Sequence, residues 1–150
     1  MLGKLNEREI EEVLTQQITG RLGCHFKGET YVVPLNYVYK NGAIYAHSGP
    51  GKKIDMMRKN PSVCFEVEDV ESIFQWRCVI VTGTFEEITD ADEKQQARQL
   101  LTHRFMPLVS MPQQHPSHGI TADEADIDTR VEPIVYRIRL DKATGRFEKA

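Results

Sequence analysis

Residues 47–53 are the part of the chain whose residue types are best suited to chemistry, and they read His47-Ser48-Gly49-Pro50-Gly51-Lys52-Lys53. Proline and glycine favour a tight loop, Ser48 supplies a hydroxyl group, and both lysines stand where a short helical pattern begins. The unpaired amide groups and the dipole at a helix N-terminus attract anions and repel cationic side chains. An anionic ligand would remove this conflict, so the pattern indicates an anion site; a solvated loop leading into a surface helix is the alternative. The spacing of a nucleotide-binding P-loop is absent.

The other candidates for chemistry have less support from their sequence context. His103, His115 and His118 lie in or beside an irregular segment without a carboxylate or cysteine at metal-ligand spacing, so no metal is predicted. His47 adjoins the anion loop and is expected to hydrogen-bond a ligand, with a role as general acid as the alternative, whereas His25 is expected to face solvent or to be hydrogen-bonded. No nucleophile can be paired with a base. If the protein is an enzyme, a bound cofactor is therefore expected to carry the chemistry.

Length and composition indicate one globular domain over residues 1–150. The chain is 40% hydrophobic and 27% charged, which is sufficient for a real core. A net charge of −3 argues against a nucleic-acid partner, and no apolar run approaches the roughly 18 residues of a membrane span. The three cysteines, Cys24, Cys64 and Cys78, are widely spaced and odd in number, which argues against a disulfide framework. Together with a charged amphipathic N-terminus in place of a signal peptide, they predict a cytoplasmic protein.

The hydrophobic pattern predicts six strands and three helices. Alternating and β-branched runs predict strands over residues 22–26, 31–39, 43–47, 62–67, 76–88 and 133–140. Helical spacing predicts helices over residues 6–18, 52–59 and 91–104. Residues 105–128 have no clear period and are expected to form an irregular surface loop. This pattern predicts a mainly β fold, a small closed or nearly closed antiparallel β-barrel with flanking helices.

Local signals add detail to this pattern. Asn41-Gly42 predicts a type I′ hairpin, Pro34 an edge position or a bulge, and Gly83 a bend or a close backbone contact. The first three strands are expected to form a meander, residues 68–72 an acidic turn, and the residues after 140 a polar tail. The strand over residues 76–88 is expected to be buried on both faces near its middle.

An ordered series of segments resembles the pyridoxamine 5′-phosphate oxidase-like split-barrel flavoproteins, and within them the nitroimidazole-resistance branch. The segments are residues 31–39, 41–48, 51–53, 58–65 and 76–83. The resemblance covers residues 18–90 well and the last strand more loosely. It implies a six-stranded split barrel that forms a homodimer and holds FMN at the dimer interface.

The resemblance also implies roles for ten residues. Ser48, Lys52 and Lys53 would grip the FMN phosphate, with His47 beside them. The strand segment Val33-Pro34-Leu35-Asn36 would lie along the isoalloxazine ring. Arg77 and Cys78 would approach the flavin from the same subunit or from the partner, and the branch would be expected to have serine in place of Cys78.

The activity implied by the resemblance is that of an FMN-dependent oxidoreductase. It would reduce a small organic substrate, such as a nitroaromatic compound, with electrons from NAD(P)H or another reductant. Vitamin B6 oxidation is not expected, because the basic C-terminal segment of the true oxidases is not found. The alternative is a non-catalytic split-barrel protein that binds flavin, or one that binds haem through His103, His115 or His118. The lysine-rich loop favours FMN over haem.

Overall fold

The computed structural model describes residues 1–108 and 132–150, which contain eight strands and three helices. The strands are β1 (Leu2–Lys4), β2 (Thr19–Phe26), β3 (Glu29–Asn36), β4 (Val38–Lys40), β5 (Ala43–Ser48), β6 (Ser62–Ser72), β7 (Gln75–Glu87) and β8 (Ile134–Glu148). The helices are α1 (Glu7–Gln16), α2 (Lys52–Lys59) and α3 (Ala91–Phe105), and a 3₁₀ turn, Met106–Leu108, follows α3. Within these two ranges, no helix is long and apolar enough to cross a membrane.

One antiparallel sheet contains all of these strands. Their order is β3-β2-β6-β7-β8-β5-β4, and β1 pairs with β8. β3 and β4 are at opposite ends of this order, although only Tyr37 separates them in the chain. The two ends of the sheet therefore meet at Tyr37, and the chain itself closes the barrel there. The predicted class, a mainly β antiparallel split barrel with flanking helices, is confirmed.

Several predicted boundaries are wrong. The described residues form eight strands instead of six, because β1 is added and the run over residues 31–39 is divided at Tyr37. This division also means that the first three predicted strands form two separate hairpins and not one meander. Residues 68–72 belong to β6, and residues 141–148 continue β8 to the N-terminal strand β1. An irregular loop was expected over residues 105–128. In the structure, Phe105 is the last residue of α3 and residues 106–108 form the 3₁₀ turn, whereas residues 109–128 lie outside the described residues.

Tyr37 connects the barrel interior to α1. The side chain is fully buried, and its ring meets the ring of Phe65 edge-on at a centroid distance of 5.0 Å. Its hydroxyl group donates a hydrogen bond of 2.8 Å to the carbonyl oxygen of Leu14, in the last turn of α1. Carbonyl groups in a last helical turn have no partner within the helix, so this bond satisfies one of them. At the other end of α1, Asn6 and Glu9 form a capping box, in which the side chain of each accepts a hydrogen bond from the backbone amide of the other.

Two local predictions on glycine are confirmed. A Cβ atom on Gly83 would lie 2.6 Å from the carbonyl oxygen of Arg139, and the pairing of β7 with β8 shifts register between Thr82 and Gly83. At the β4–β5 hairpin, Asn41 and Gly42 have φ values of 50° and 74°. Positive φ at both central residues is the requirement of a type I′ turn.

The middle of β7 is buried on one face only, contrary to the expectation. Val79 and Val81 are fully buried, whereas Ile80 between them is 50% exposed. Outward side chains of the neighbouring strands continue this surface, and we call the set the outer face: Val32, Pro34, Arg21, Cys64, Glu66, Cys78 and Ile80. Val32 is 61% exposed, so the outer face carries apolar side chains in contact with solvent.

Candidate anion site at the start of helix α2

No side chain within the described ranges caps the N-terminus of α2. Gly51 precedes the helix in an extended conformation, and it offers no side chain to accept hydrogen bonds from the first amide groups. The helix ends at Lys59, as predicted, and its C-cap Asn60 stands directly before Pro61. The amide groups of the first turn are therefore available to an external acceptor, which is the arrangement found where helices bind anions.

Lys52 is held by side chains at the start of β3. Its ammonium group forms an ion pair and hydrogen bond with the carboxylate of Glu29. The same ammonium group lies 4.8 Å from the ring centroid of Tyr31, a cation–π distance. The hydrogen bond to Glu29 raises the pKa of Lys52, so this side chain stays protonated. Glu29 is thus part of the site, although it is not among the site residues predicted from the sequence.

Lys53 has a different environment. Its side chain is half-buried, and this burial lowers the pKa of its ammonium group below 10.5. In the described part of the chain, no carboxylate forms an ion pair with Lys53. A partly desolvated cation without a counter-ion is unfavourable, and a bound anion would compensate it. Lys53 is therefore the strongest indication of an anionic ligand.

His47 and Ser48 end β5 just before this loop. They pair with Val135 and Ile134 of β8, so the ladder fixes the position at which the loop leaves the sheet. The Ser48 hydroxyl group donates a hydrogen bond of 2.7 Å to the adjacent carbonyl oxygen of Gly49. To donate to a ligand, Ser48 would have to give up this local bond. The His47 ring is half-buried, with both ring nitrogens away from solvent.

β3 presents its edge beside this site. Pro34 pairs with Arg21 of β2, and β3 ends the strand order, so the predicted edge position of Pro34 is confirmed. Val33 and Leu35 pack against the core, whereas Pro34 and Asn36 point outward. An edge strand exposes backbone groups that can hydrogen-bond a ligand.

Arg77 and Cys78 are tied to other partners. Arg77 donates to Asp69 at 2.9 Å and lies 3.4 Å from a carboxylate oxygen of Glu12 in α1. Cys78 donates from its thiol to a carboxylate oxygen of Glu66 at 3.3 Å. Burial and this hydrogen bond raise the pKa of Cys78 to about 12. The thiol is therefore protonated at neutral pH and is not an activated nucleophile.

Within the chain, the structure does not bring Cys78 to the lysines. Four residues are paired side by side across β3, β2, β6 and β7, and they form one row across the sheet: Pro34, Arg21, Glu66 and Ile80. Along the strands, Glu29 is five residues from this row in one direction, and Cys78 is two residues from it in the other. At the rise of a β-strand, this corresponds to a separation of about 23 Å along the strands. The ion pair with Lys52 places the anion site at the Glu29 end.

One of the three histidines considered for metal or haem lies in the described residues. His103 is exposed on α3, and His115 and His118 lie outside the described residues. The three cysteines are free, as the sequence predicts.

Fold and site together define a split-barrel protein with a candidate anion site at the start of α2. The sequence model of the pyridoxamine 5′-phosphate oxidase family matches residues 6–147. The chain therefore belongs to this family, which confirms the resemblance inferred from its motifs.

Three similar proteins extend this comparison. An uncharacterised protein of Rhizobium meliloti (strain 1021) is 28% identical over 142 residues, covering 95% of this chain and 92% of that protein. The crystal structure of a FAD-binding protein of Mesorhizobium loti is 30% identical, with a TM-score of 0.75 and coverage of 100% and 98% of the two chains. A candidate 5-nitroimidazole antibiotic resistance protein of Bacteroides thetaiotaomicron is 23% identical, with a TM-score of 0.72 and coverage of 98% and 87%. At this level of identity, the similarity to the Bacteroides thetaiotaomicron protein shows a shared fold only.

Proposed function

We propose that this protein binds FMN through its phosphate and acts as a flavin-dependent oxidoreductase on a small organic substrate such as a nitroaromatic compound. The observation that carries the proposal is the half-buried ammonium group of Lys53, which has no carboxylate partner in the described residues and stands at an uncapped helix N-terminus. A phosphate monoester carries close to two negative charges at neutral pH and offers three acceptor oxygens. Lys52, Lys53 and the first amide groups of α2 are donors that fit such a group.

Family membership supports a flavin as the ligand. The Mesorhizobium loti protein, which is similar over its whole length, is a FAD-binding protein. FAD and FMN share the isoalloxazine ring and differ in the charge and size of the phosphate portion. Lysines at a helix N-terminus suit the terminal phosphate of FMN, and the titrations below separate the two flavins.

The residues of this chain would have distinct roles toward the flavin. Lys52 and Lys53 would hold the phosphate, with Ser48 and His47 beside it. The exposed backbone of the edge segment 33–36 would orient the ring by hydrogen bonds. A bound flavin supplies hydride transfer between a reductant, here NAD(P)H, and the substrate.

A homodimer would complete this site. Val32 and Ile80 on the outer face are 61% and 50% exposed, and Val70, Ile73 and Phe74 near the β6–β7 turn are also exposed. A second copy packed on the outer face would remove these side chains from water. It would also allow Cys78 of the partner subunit, which lies on the outer face, to approach a flavin held by the lysines of the first. Arg77 points to the other face of β7, toward α1. The three free cysteines favour a cytoplasmic, reducing location.

The decisive experiment is the visible spectrum of the purified protein, followed by titration of flavin-free protein with FMN, FAD and riboflavin. The proposal expects a flavin spectrum and tighter binding of FMN than of riboflavin, which lacks the phosphate. Tighter binding of FAD than of FMN would reassign the cofactor. Equal binding of FMN and riboflavin would refute the phosphate site, and a Soret band would indicate haem in place of flavin.

Activity and assembly are tested on the same sample. With flavin bound, NADH or NADPH should bleach the flavin absorbance, and a nitroaromatic acceptor should restore it. Stable flavin binding without reduction by either nucleotide would favour a binding protein over an enzyme.

Light scattering should give the mass of two chains, and Ile80→Lys on the outer face should lower that mass toward one chain. A wild-type protein with the mass of one chain would refute the dimer.

A further inference from the structure

The carboxylate of Glu29 is directed at the same ammonium group that the proposed phosphate would use. Glu29 is the first residue of β3, and it pairs with Phe26 directly across the tight turn of the β2–β3 hairpin. The hairpin therefore fixes the backbone that carries this carboxylate. The ion pair with Lys52 joins the hairpin to the first turn of α2. A carboxylate in this position adds negative charge where an anionic ligand would bind.

The two lysines of the site are consequently unequal. Lys52 already has a counter-ion in Glu29 and a second contact in the ring of Tyr31. Lys53 has no carboxylate partner in the described residues, and burial disfavours its charge. A phosphate that approaches α2 meets one uncompensated cation, one cation that is already paired, and one carboxylate that repels it.

We propose that Glu29 is a specificity-determining residue that competes with the flavin phosphate for Lys52 and so weakens the binding of phosphate-bearing flavins. This inference rests on the proposed function, because it assumes that the start of α2 binds a flavin phosphate. When the phosphate binds, Lys52 exchanges its hydrogen bond to Glu29 for one to a phosphate oxygen. The carboxylate then remains close to a dianion, which costs binding free energy. Glu29 thereby makes the cofactor easier to release than two lysines alone would allow.

The test is the variant Glu29→Gln, which keeps the size of the side chain and removes its charge. The dissociation constants of FMN and riboflavin are measured for wild-type and variant protein. We expect the variant to bind FMN about 3- to 10-fold more tightly, because an exposed ion pair and a like-charge repulsion are both removed. Riboflavin binding should be unchanged. The thermal shift caused by inorganic phosphate, measured without flavin, should also be larger in the variant.

A matched control and a double variant make the test specific. Glu87→Gln removes the same charge from an ion pair with Arg58, near the other end of α2, and should leave the ratio of FMN to riboflavin affinity unchanged. In protein that carries Lys52→Met, Glu29→Gln should have a smaller effect, since the competition for the ammonium group has been removed.

The outcomes separate this inference from the proposed function. If wild-type protein prefers FMN to riboflavin but Glu29→Gln leaves FMN affinity unchanged or weaker, the competition is refuted and the phosphate site stands. Weaker binding would mean that Glu29 positions Lys52 for the ligand. If wild-type protein shows no preference for FMN over riboflavin, the phosphate site and the competition both fall.

Discussion

Replacing Lys53 with methionine should weaken FMN binding strongly while leaving riboflavin binding nearly unchanged. Methionine keeps an unbranched apolar side chain that can fill the half-buried position, and it removes the ammonium group. Hydrogen bonds to charged groups contribute about 1.5–3 kcal/mol, which corresponds to a change of about 10- to 150-fold in the dissociation constant. The upper part of this range is expected, because Lys53 has no other counter-ion in the described residues.

The assay is a fluorescence or absorbance titration of flavin-free protein with FMN and with riboflavin. Lys59→Met is the matched control, since Lys59 is in the last turn of the same helix and lies over the ring of Phe26. It should change the affinity for each flavin by less than about 2-fold, in line with the small contribution of exposed charges. A parallel loss of FMN and riboflavin affinity in Lys53→Met would mean that the substitution disturbs the fold and not a phosphate contact, and would refute the assignment.

The pH dependence of FMN binding gives an independent check on the same residue. Burial lowers the pKa of Lys53 below 10.5, so in flavin-free protein this ammonium group loses its proton at a lower pH than an ordinary lysine. A phosphate binds the protonated form, and FMN affinity should therefore fall as the pH rises through that lowered pKa. Lys52 has a raised pKa and should stay charged over this range. In Lys53→Met, the ratio of FMN to riboflavin affinity should be flat with pH, and a decline like that of wild-type protein would contradict the role of Lys53.

Two further predictions concern the parts of the barrel that position the site, and both are measured by urea unfolding. Tyr37→Phe removes the buried hydrogen bond to the carbonyl group of Leu14 and should lower the free energy of unfolding by about 1–2 kcal/mol. Tyr39→Phe, which removes a hydrogen bond to an exposed carboxylate, should cost less than about 1 kcal/mol, and equal costs would contradict the anchoring role of Tyr37. Gly83→Ala should lower the free energy of unfolding by about 1–3 kcal/mol or more, because its Cβ atom would be 2.6 Å from the carbonyl oxygen of Arg139. A neutral effect would show that β7 and β8 can separate at no cost.

Most of the elements could be predicted from the sequence because their signals are local. The Asn6 capping box, the Asn41-Gly42 turn and the stop of α2 before Pro61 depend on residues a few positions apart. The position of Lys53 at a helix start is a signal of the same kind. Strand ends were predicted less well, since the polar residues at 68–72 and 141–148 are in strands only because neighbouring strands pair with them.

The environment of the candidate site could not be predicted in the same way. The sequence by itself determined a mainly β barrel, the loop after β5 and two lysines at the start of a helix, because short-range periodicity and turn chemistry specify them. Only the tertiary structure decided that Glu29 is the counter-ion of Lys52 and that Cys78 donates to Glu66. It also separated Cys78 from the lysines within the chain. These contacts depend on which strands are paired and in which register. Strand pairing joins residues that are far apart in the chain, and the sequence around each residue does not indicate its partner.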